Sequence, residues 1–289
     1  MRPKNVNLFL IDGDARGRVK CTLRNWTGIA YKIPRTELEK SKDREDLSQS
    51  GVYFLFGKDE SDESGVVYIG QAGVRQNGEG ILGRLFEHRR NEEKNYWNEA
   101  IVFTTSDDSF GPTEISYLEH QFVRMAKEAG RYTVKNSVLP NMGNVREEIE
   151  AEMQEFIENA VTVMGILGHM VFEPLVEEED SDDNLELFLE RTIQKTGVTL
   201  RAKCIRTKEG IVVVKGSDVG EYEAPSLTPY LAERRRKAKI ENGVLLENEL
   251  FSSPSAAGAF VIGGAINGLT YWKTRDGVTL KDLDNQVDF

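Results

Sequence analysis

Between Glu177 and Glu190 the chain carries eight acidic residues (Glu177, Glu178, Glu179, Asp180, Asp182, Asp183, Glu186 and Glu190) and no Lys or Arg. No hydrophobic core can absorb such a run, because an unpaired carboxylate loses its hydration on burial and gains nothing in return. The run reads as a solvated linker, and the simplest organisation places one domain on either side of it. It also supplies eight of the eleven net negative charges of the 289-residue chain. A strong acidic balance opposes phosphate binding, but here most of that balance is local. With 39% hydrophobic and 29% charged residues, the chain is composed like a folded protein rather than a disordered one. Its longest apolar stretches, around 161–172 and 256–269, are too short and too rich in glycine to span a bilayer, so no membrane association is expected. The basic start is followed by no long apolar segment, so no signal peptide is expected. Cys21 and Cys204 have no metal-ligand spacing, which suits a reducing cytoplasm.

Ahead of the linker, residues 5–11, 17–23 and 29–33 read as short strands separated by the turns Asp12-Gly13-Asp14 and Asn25-Trp26-Thr27-Gly28. A short charged helix is predicted from Pro34 to about Asp46. Residues 51–57 (GVYFLFG) and 66–70 (VVYIG) are apolar strands joined by an acidic, Ser-rich loop. A Gly-rich loop leads to a helix over 81–91, a strand over 100–105, and a helix over 113–129 that starts at Pro112 and is capped by Gly130. A further helix is predicted over 145–167. Beyond the linker come a short helix at about 185–196, strands at 199–206 and 210–215, a basic helix at 227–240, and a Gly/Ala-rich tail.

Two strands each carrying one tyrosine form the first candidate constellation. If they pair antiparallel, Tyr53 and Tyr68 face the same side. Arg84 and His88 are four residues apart and share a helix face. Glu119 has Ile115, Phe122 and Val123 among its helical neighbours, where a carboxylate costs free energy unless a partner such as a metal ion compensates it. Together these groups could hydrolyse a phosphodiester. The carboxylate would hold a hard divalent ion, the guanidinium would match charge growing on the phosphoryl oxygens, and a phenol or imidazole would relay a proton from water. His88 can equally be read as a surface residue beside Arg89 and Arg90, and Asn136 as a turn residue. Beyond the linker, Arg234, Arg235, Arg236, Lys237 and Lys239 are either a solvated helix face or a surface that follows phosphates.

The triplets GVY (51–53) and YIG (68–70), followed in order by Arg84, His88, Glu119 and Asn136, resemble the GIY-YIG nuclease family over about residues 51–140. The resemblance implies an α+β fold, with a small antiparallel sheet of three strands flanked by helices. It also implies an endonuclease dependent on Mg2+ or Mn2+, acting on nucleic acid and foremost on DNA. Tyr53 and Tyr68 would be the core tyrosines, one of them activating the nucleophile. Arg84 would stabilise the transition state, His88 would assist proton transfer or contact a phosphate, Glu119 would bind the metal, and Asn136 would support the substrate or the site geometry. Gln71 stands where the family often has Lys, which removes a possible phosphate contact from this substrate-binding position and keeps open a second reading, a binding module that does not cut. Phe251-Ser252-Ser253-Pro254-Ser255-Ala256-Ala257, Ile266-Asn267-Gly268-Leu269 and Tyr271-Trp272-Lys273 are similar to the domain of unknown function DUF4357, a second small α+β domain that could position the substrate or a protein partner. The expected boundaries are a β-rich extension (1–48), the nuclease-like domain (49–142), a helical extension (143–176), the linker with its short helix (177–196) and the C-terminal domain (197–289).

Overall fold

In the N-terminal part, β1 (Val6–Leu10), β2 (Val19–Leu23) and β3 (Gly28–Pro34) form an antiparallel meander. The computed structural model describes residues 3–59, 64–76, 78–176 and 185–287. Most of the acidic linker therefore lies outside the described residues. The chain divides into two units, Met1–Pro174 and Leu175–Phe289. After β3, the segment expected as a charged helix forms two 3₁₀ turns, Arg35–Asp43 and Glu45–Ser48. Only Leu38, Ser41 and Leu47 of these turns are buried.

The hairpin β4 (Gly51–Lys58) and β5 (Gly65–Ala72) follows, then α1 (Ile81–Arg90), β6 (Trp97–Thr105), α2 (Pro112–Ala129), the short β7 (Thr133–Val134) and α3 (Glu147–Ile166). The seven strands make one sheet in the order β1-β2-β3-β6-β4-β5-β7. All pairs are antiparallel except β5 with β7. The expected three-stranded sheet is thus present as β5-β4-β6, but β3 hydrogen-bonds along the far side of β6 and makes the N-terminal meander part of the same sheet. Helices α2 and α3 cover one face, packing Phe122 and Phe156 against Phe54, Ile69 and Phe103. The 3₁₀ turns and α1 cover the other, packing Leu38, Leu47 and Leu85 against Leu55 and Val102. Two covered faces explain why β4 is apolar almost without alternation.

The second unit contains β8 (Leu185–Thr192), β9 (Thr199–Thr207), β10 (Gly210–Val213), α4 (Pro229–Lys237), β11 (Ile240–Glu241), β12 (Val244–Leu245), β13 (Glu249–Phe251), α5 (Pro254–Ile262), α6 (Gly268–Tyr271) and α7 (Leu280–Val287). Its main sheet runs β13-β10-β9-β8, and the buried α5 packs on it. The fold class is therefore α+β in both units. The short helix expected at 185–196 is corrected to a strand. Leu187 and Leu189 are buried while Glu186 and Glu190 are exposed, a period of two that no helix face reproduces. Ser253 is the N-cap of α5, its hydroxyl accepting the Ala256 N–H at 3.2 Å. Among the described residues, no helix is long and apolar enough to cross a membrane. Cys21 and Cys204 are both free and buried.

Candidate functional site

The glycines of the two triplets have steric roles. In the β4–β5 register Tyr53 lies opposite Gly70, and Leu55 opposite Tyr68, so both tyrosines project from the α1 face. A Cβ on Gly70 would stand 2.3 Å from the Tyr53 hydroxyl, and one on Gly51 would stand 2.2 Å from the Phe103 carbonyl oxygen. Gly70 thus lets the Tyr53 ring lie across β5, and Gly51 lets β4 approach β6.

Helix α1 completes this face. Tyr53 is buried, and its hydroxyl is 2.7 Å from Nε2 of the buried His88. The rings of Tyr53 and Tyr68 are 6.4 Å apart, and each lies 5.3 Å from the imidazole. Burial, reinforced by Lys94 and Arg84, pushes the His88 pKa down to about 4, so the ring is neutral near pH 7. Burial likewise raises the Tyr53 phenol well above its ordinary value; neighbouring Tyr68 adds to this, and Arg84 opposes it. Tyr68 is half-buried and hydrogen-bonds Tyr53, and burial and Glu119 raise its pKa. Of the two phenols it is the one within reach of solvent.

Arg84 is held from two sides. Glu87, one turn along α1, accepts from its Nη1 at 2.7 Å. Burial alone would lower the guanidinium pKa, but Glu87 and Tyr53 raise it. Glu87 also holds Arg75, from the loop before α1, through both guanidinium ends, and Arg75 and Arg84 together lower the Glu87 pKa to about 2. Nearly two-fifths of the Arg84 side chain stays exposed, enough to meet an anion.

Glu119 comes from α2 on the opposite face of the sheet. The two faces meet at the end of β5, because β7 pairs only with Val66 and Val67. The carboxylate is half-buried, and burial raises its pKa against the opposing pull of Gln71 and Arg84. Gln71 Nε2 donates to Glu119 Oε2 at 3.0 Å and to Ser116 Oγ at 3.1 Å. Gln71 therefore orients the carboxylate and does not point a charge at a phosphate. Among the described residues, no group of three or more His, Cys, Asp or Glu could hold a metal. A single desolvated carboxylate does not suit Zn2+, but it does suit Mg2+ or Mn2+, hard ions that retain waters and take substrate oxygens.

Asn136 is buried and committed to the backbone. The Ile69 N–H donates to its Oδ1 at 3.0 Å, and its Nδ2 donates to the Ile69 carbonyl at 2.7 Å. It continues the edge of β5 where β7 ends, so it positions the YIG segment, and these contacts leave its amide little freedom to reach a substrate. Lys94, in a 3₁₀ turn at Glu92–Lys94, is a site residue that the sequence analysis missed. Its Nζ sits 3.6 Å from the Tyr68 ring centroid, and burial and then Arg84 lower its pKa. No local signal marks it, since Asn91-Glu92-Glu93-Lys94-Asn95 reads as a solvated connection. Glu87 was likewise missed, although its place three residues after Arg84 on the same helix is a signal that could have found it.

The basic residues of α4 do not form one phosphate-tracking surface. Arg234 pairs with Glu249 through Nε at 2.9 Å and Nη2 at 2.6 Å. Arg235 is buried, donates to the carbonyls of Phe260 and Gly220, and lies 3.4 Å from Glu223. Arg236 is exposed. This helix is in the second unit, whereas the tyrosine cluster is in the first.

The first unit thus holds a cluster of two phenols, a neutral imidazole, a half-exposed guanidinium and a desolvated carboxylate at one sheet edge, a set suited to acid–base work on an anionic substrate. In the second unit, residues 193–284 match the family model of a domain of unknown function, DUF4357. The match includes the segments at 251–257, 266–269 and 271–273 that carried that resemblance. No curated protein and no solved structure matches the chain.

Proposed function

We propose that the first unit is a GIY-YIG-type endonuclease, dependent on Mg2+ or Mn2+, that hydrolyses phosphodiester bonds in nucleic acid, with DNA as its substrate. The observation that carries this reading is the convergence of Tyr53, Tyr68, Arg84, His88 and Glu119, from β4, β5, α1 and α2, on one edge of the sheet.

Each residue then has a part that its surroundings define. Glu119 would hold the divalent ion, whose positive charge also relieves the cost of desolvating this carboxylate. The bound ion would supply charge neutralisation at the leaving oxygen. Arg84, kept protonated by Glu87 and Tyr53, stabilises charge on the phosphoryl oxygens. Tyr68 is the phenol that a water can reach. Through its hydrogen bond to Tyr53 it connects inward to the neutral His88 nitrogen, which can accept a proton. Lys94 lies against the Tyr68 ring and supplies near the site the positive charge missing at Gln71.

The test is to incubate the full chain with plasmid, linear duplex, single-stranded DNA and RNA, with and without Mg2+ or Mn2+. Metal-dependent cleavage that disappears in Glu119→Ala supports the proposal. Binding without cleavage across all those substrates and both metals overturns it in favour of a non-cutting binding module, which is the role that Gln71, bonded to the Glu119 carboxylate, favours.

A further inference from the structure

A second candidate site lies wholly within the C-terminal unit and does not depend on the chemistry proposed for the tyrosine cluster. It begins with β8, an edge strand. Leu187 and Leu189 point into the core, so Glu186, Phe188 and Glu190 point outward. An aromatic ring on the outward face of an edge strand calls for a partner. Part of one comes from the segment after α6. The Phe188 N–H donates to the Lys273 carbonyl at 2.7 Å, and the Lys273 N–H donates to the Phe188 carbonyl at 3.0 Å. Trp272 is buried, its Nε1 donating to the Pro254 carbonyl at 2.9 Å. With residue 272 pinned inward, Tyr271 and Lys273 are held outward on a firm support.

The result is a hollow of about 510 Å³ whose lining includes Phe188, Glu190, Thr270, Tyr271, Lys273 and Thr274. Two guanidiniums stack on its rings, Arg191 at 4.9 Å from the Tyr271 centroid and Arg275 at 5.7 Å from the Phe188 centroid. Tyr271 remains 41% exposed. The nearby outward acids of β8 are already matched from β9: Arg201 donates to Glu190 at 3.2 Å, and Lys203 pairs with Glu186. Asp276, beside Arg275, is exposed. Arg191, Lys273 and Arg275 form no ion pair with a described residue, in a chain whose net charge is −11.

We propose that this surface binds single-stranded nucleic acid, stacking bases on Tyr271 and Phe188 and meeting phosphates with Arg191, Lys273 and Arg275. Rings interleaved with cations are what an unpaired strand requires, since every base offers a π-face and every linkage a charge. A duplex keeps its base faces stacked internally and cannot use the rings. An acidic peptide would satisfy the cations and leave the rings idle.

The test measures binding of a fluorescent oligothymidine to the full chain in EDTA, which removes divalent metal. Duplex DNA and an acidic peptide of matched charge serve as competitors, and the titration is repeated across a salt series. The expected results are preference for the single strand, a loss of about tenfold or more in Tyr271→Ala, and retained affinity in Tyr271→Trp. In Lys273→Glu/Arg275→Glu the slope of log affinity against log salt should become shallower by about 1.4, from two lost phosphate contacts. Both substituted side chains are exposed, so this double variant decides the question even if Tyr271→Ala proves unstable by thermal melting. Equal affinity for the duplex or the peptide overturns the proposal, as does a double variant with unchanged affinity and salt slope.

Discussion

Arg84 and Arg235 each lie on a short helix that carries further cationic residues, and the fold uses them in opposite ways. Arg84 has one carboxylate partner and one phenol partner, and nearly two-fifths of the side chain is exposed. Arg235 is almost fully buried and spends its donors on two main-chain carbonyls and Glu223. The first guanidinium keeps exposed surface, whereas the second ties α4 to α5 and the Gly220 segment. The number of neighbouring cations in the sequence does not separate these roles. What separates them is whether the donors are already consumed.

The largest expected effect is at the cluster that Arg84 serves. Glu119→Ala should abolish metal-dependent cleavage, and Arg84→Ala should lower it about 10²–10³-fold, the range seen when a donor to transition-state charge is removed. Circular dichroism of both variants should match the unmodified protein, and residual cleavage within tenfold in either would break the comparison on this side. On the other side, Arg235→Ala should destabilise the second unit by roughly 3 kcal/mol, because it strands buried carbonyls and removes a buried charge from its partner. Arg236→Ala, at an exposed position, should change stability by less than about 0.5 kcal/mol. Denaturant titration that ranks these two variants the other way would contradict the buried role of Arg235.

The neutral His88 gives a pH test. The folded pKa is depressed to about 4 from an ordinary 6.5, so between these values the unfolded chain binds a proton that the folded chain refuses. The contribution to stability is full above pH 6.5 and declines as pH falls towards 4, by up to about 1.4 kcal/mol per unit. His88→Gln should flatten that slope in melts collected from pH 7 to 4; an unchanged slope would assign the pH dependence elsewhere. The smallest effect on cleavage is expected at Lys94. Lys94→Ala should reduce cleavage about tenfold, the equivalent of about 1.4 kcal/mol, with Lys94→Arg retaining more activity and the melting temperature little changed. Cleavage equal to that of the unmodified protein would remove Lys94 from the site.

Much of the first unit was legible because its signals are local. Pro112 and Gly130 bound α2 as expected, Gly130 closing it at φ 66°, and the glycine-flanked apolar runs formed the β4–β5 hairpin. In the second unit the same reasoning failed at residues 185–192. A short helix was expected at 185–196, but the alternation Leu187, Leu189 against Glu186, Glu190 already carried the period of a strand. The particular structural role of Asn136, a clamp on the Ile69 backbone rather than a turn residue, could not be read in advance. Its partner Ile69 is 67 residues away, and only the end of β7 leaves that edge of β5 to be capped.

The sequence by itself determined most of the elements, the two triplets, the order of the chemical residues after them and the resemblance of the C-terminal domain, because strand period, helix caps and motif spacing act over a few residues. The tertiary structure decided which charges are available. It brought Lys94 against Tyr68, turned Gln71 onto Glu119, exposed part of Arg84 and consumed Arg235. Each of those outcomes depends on how deeply a group is desolvated and on partners distant in the chain, and no short stretch of sequence contains either.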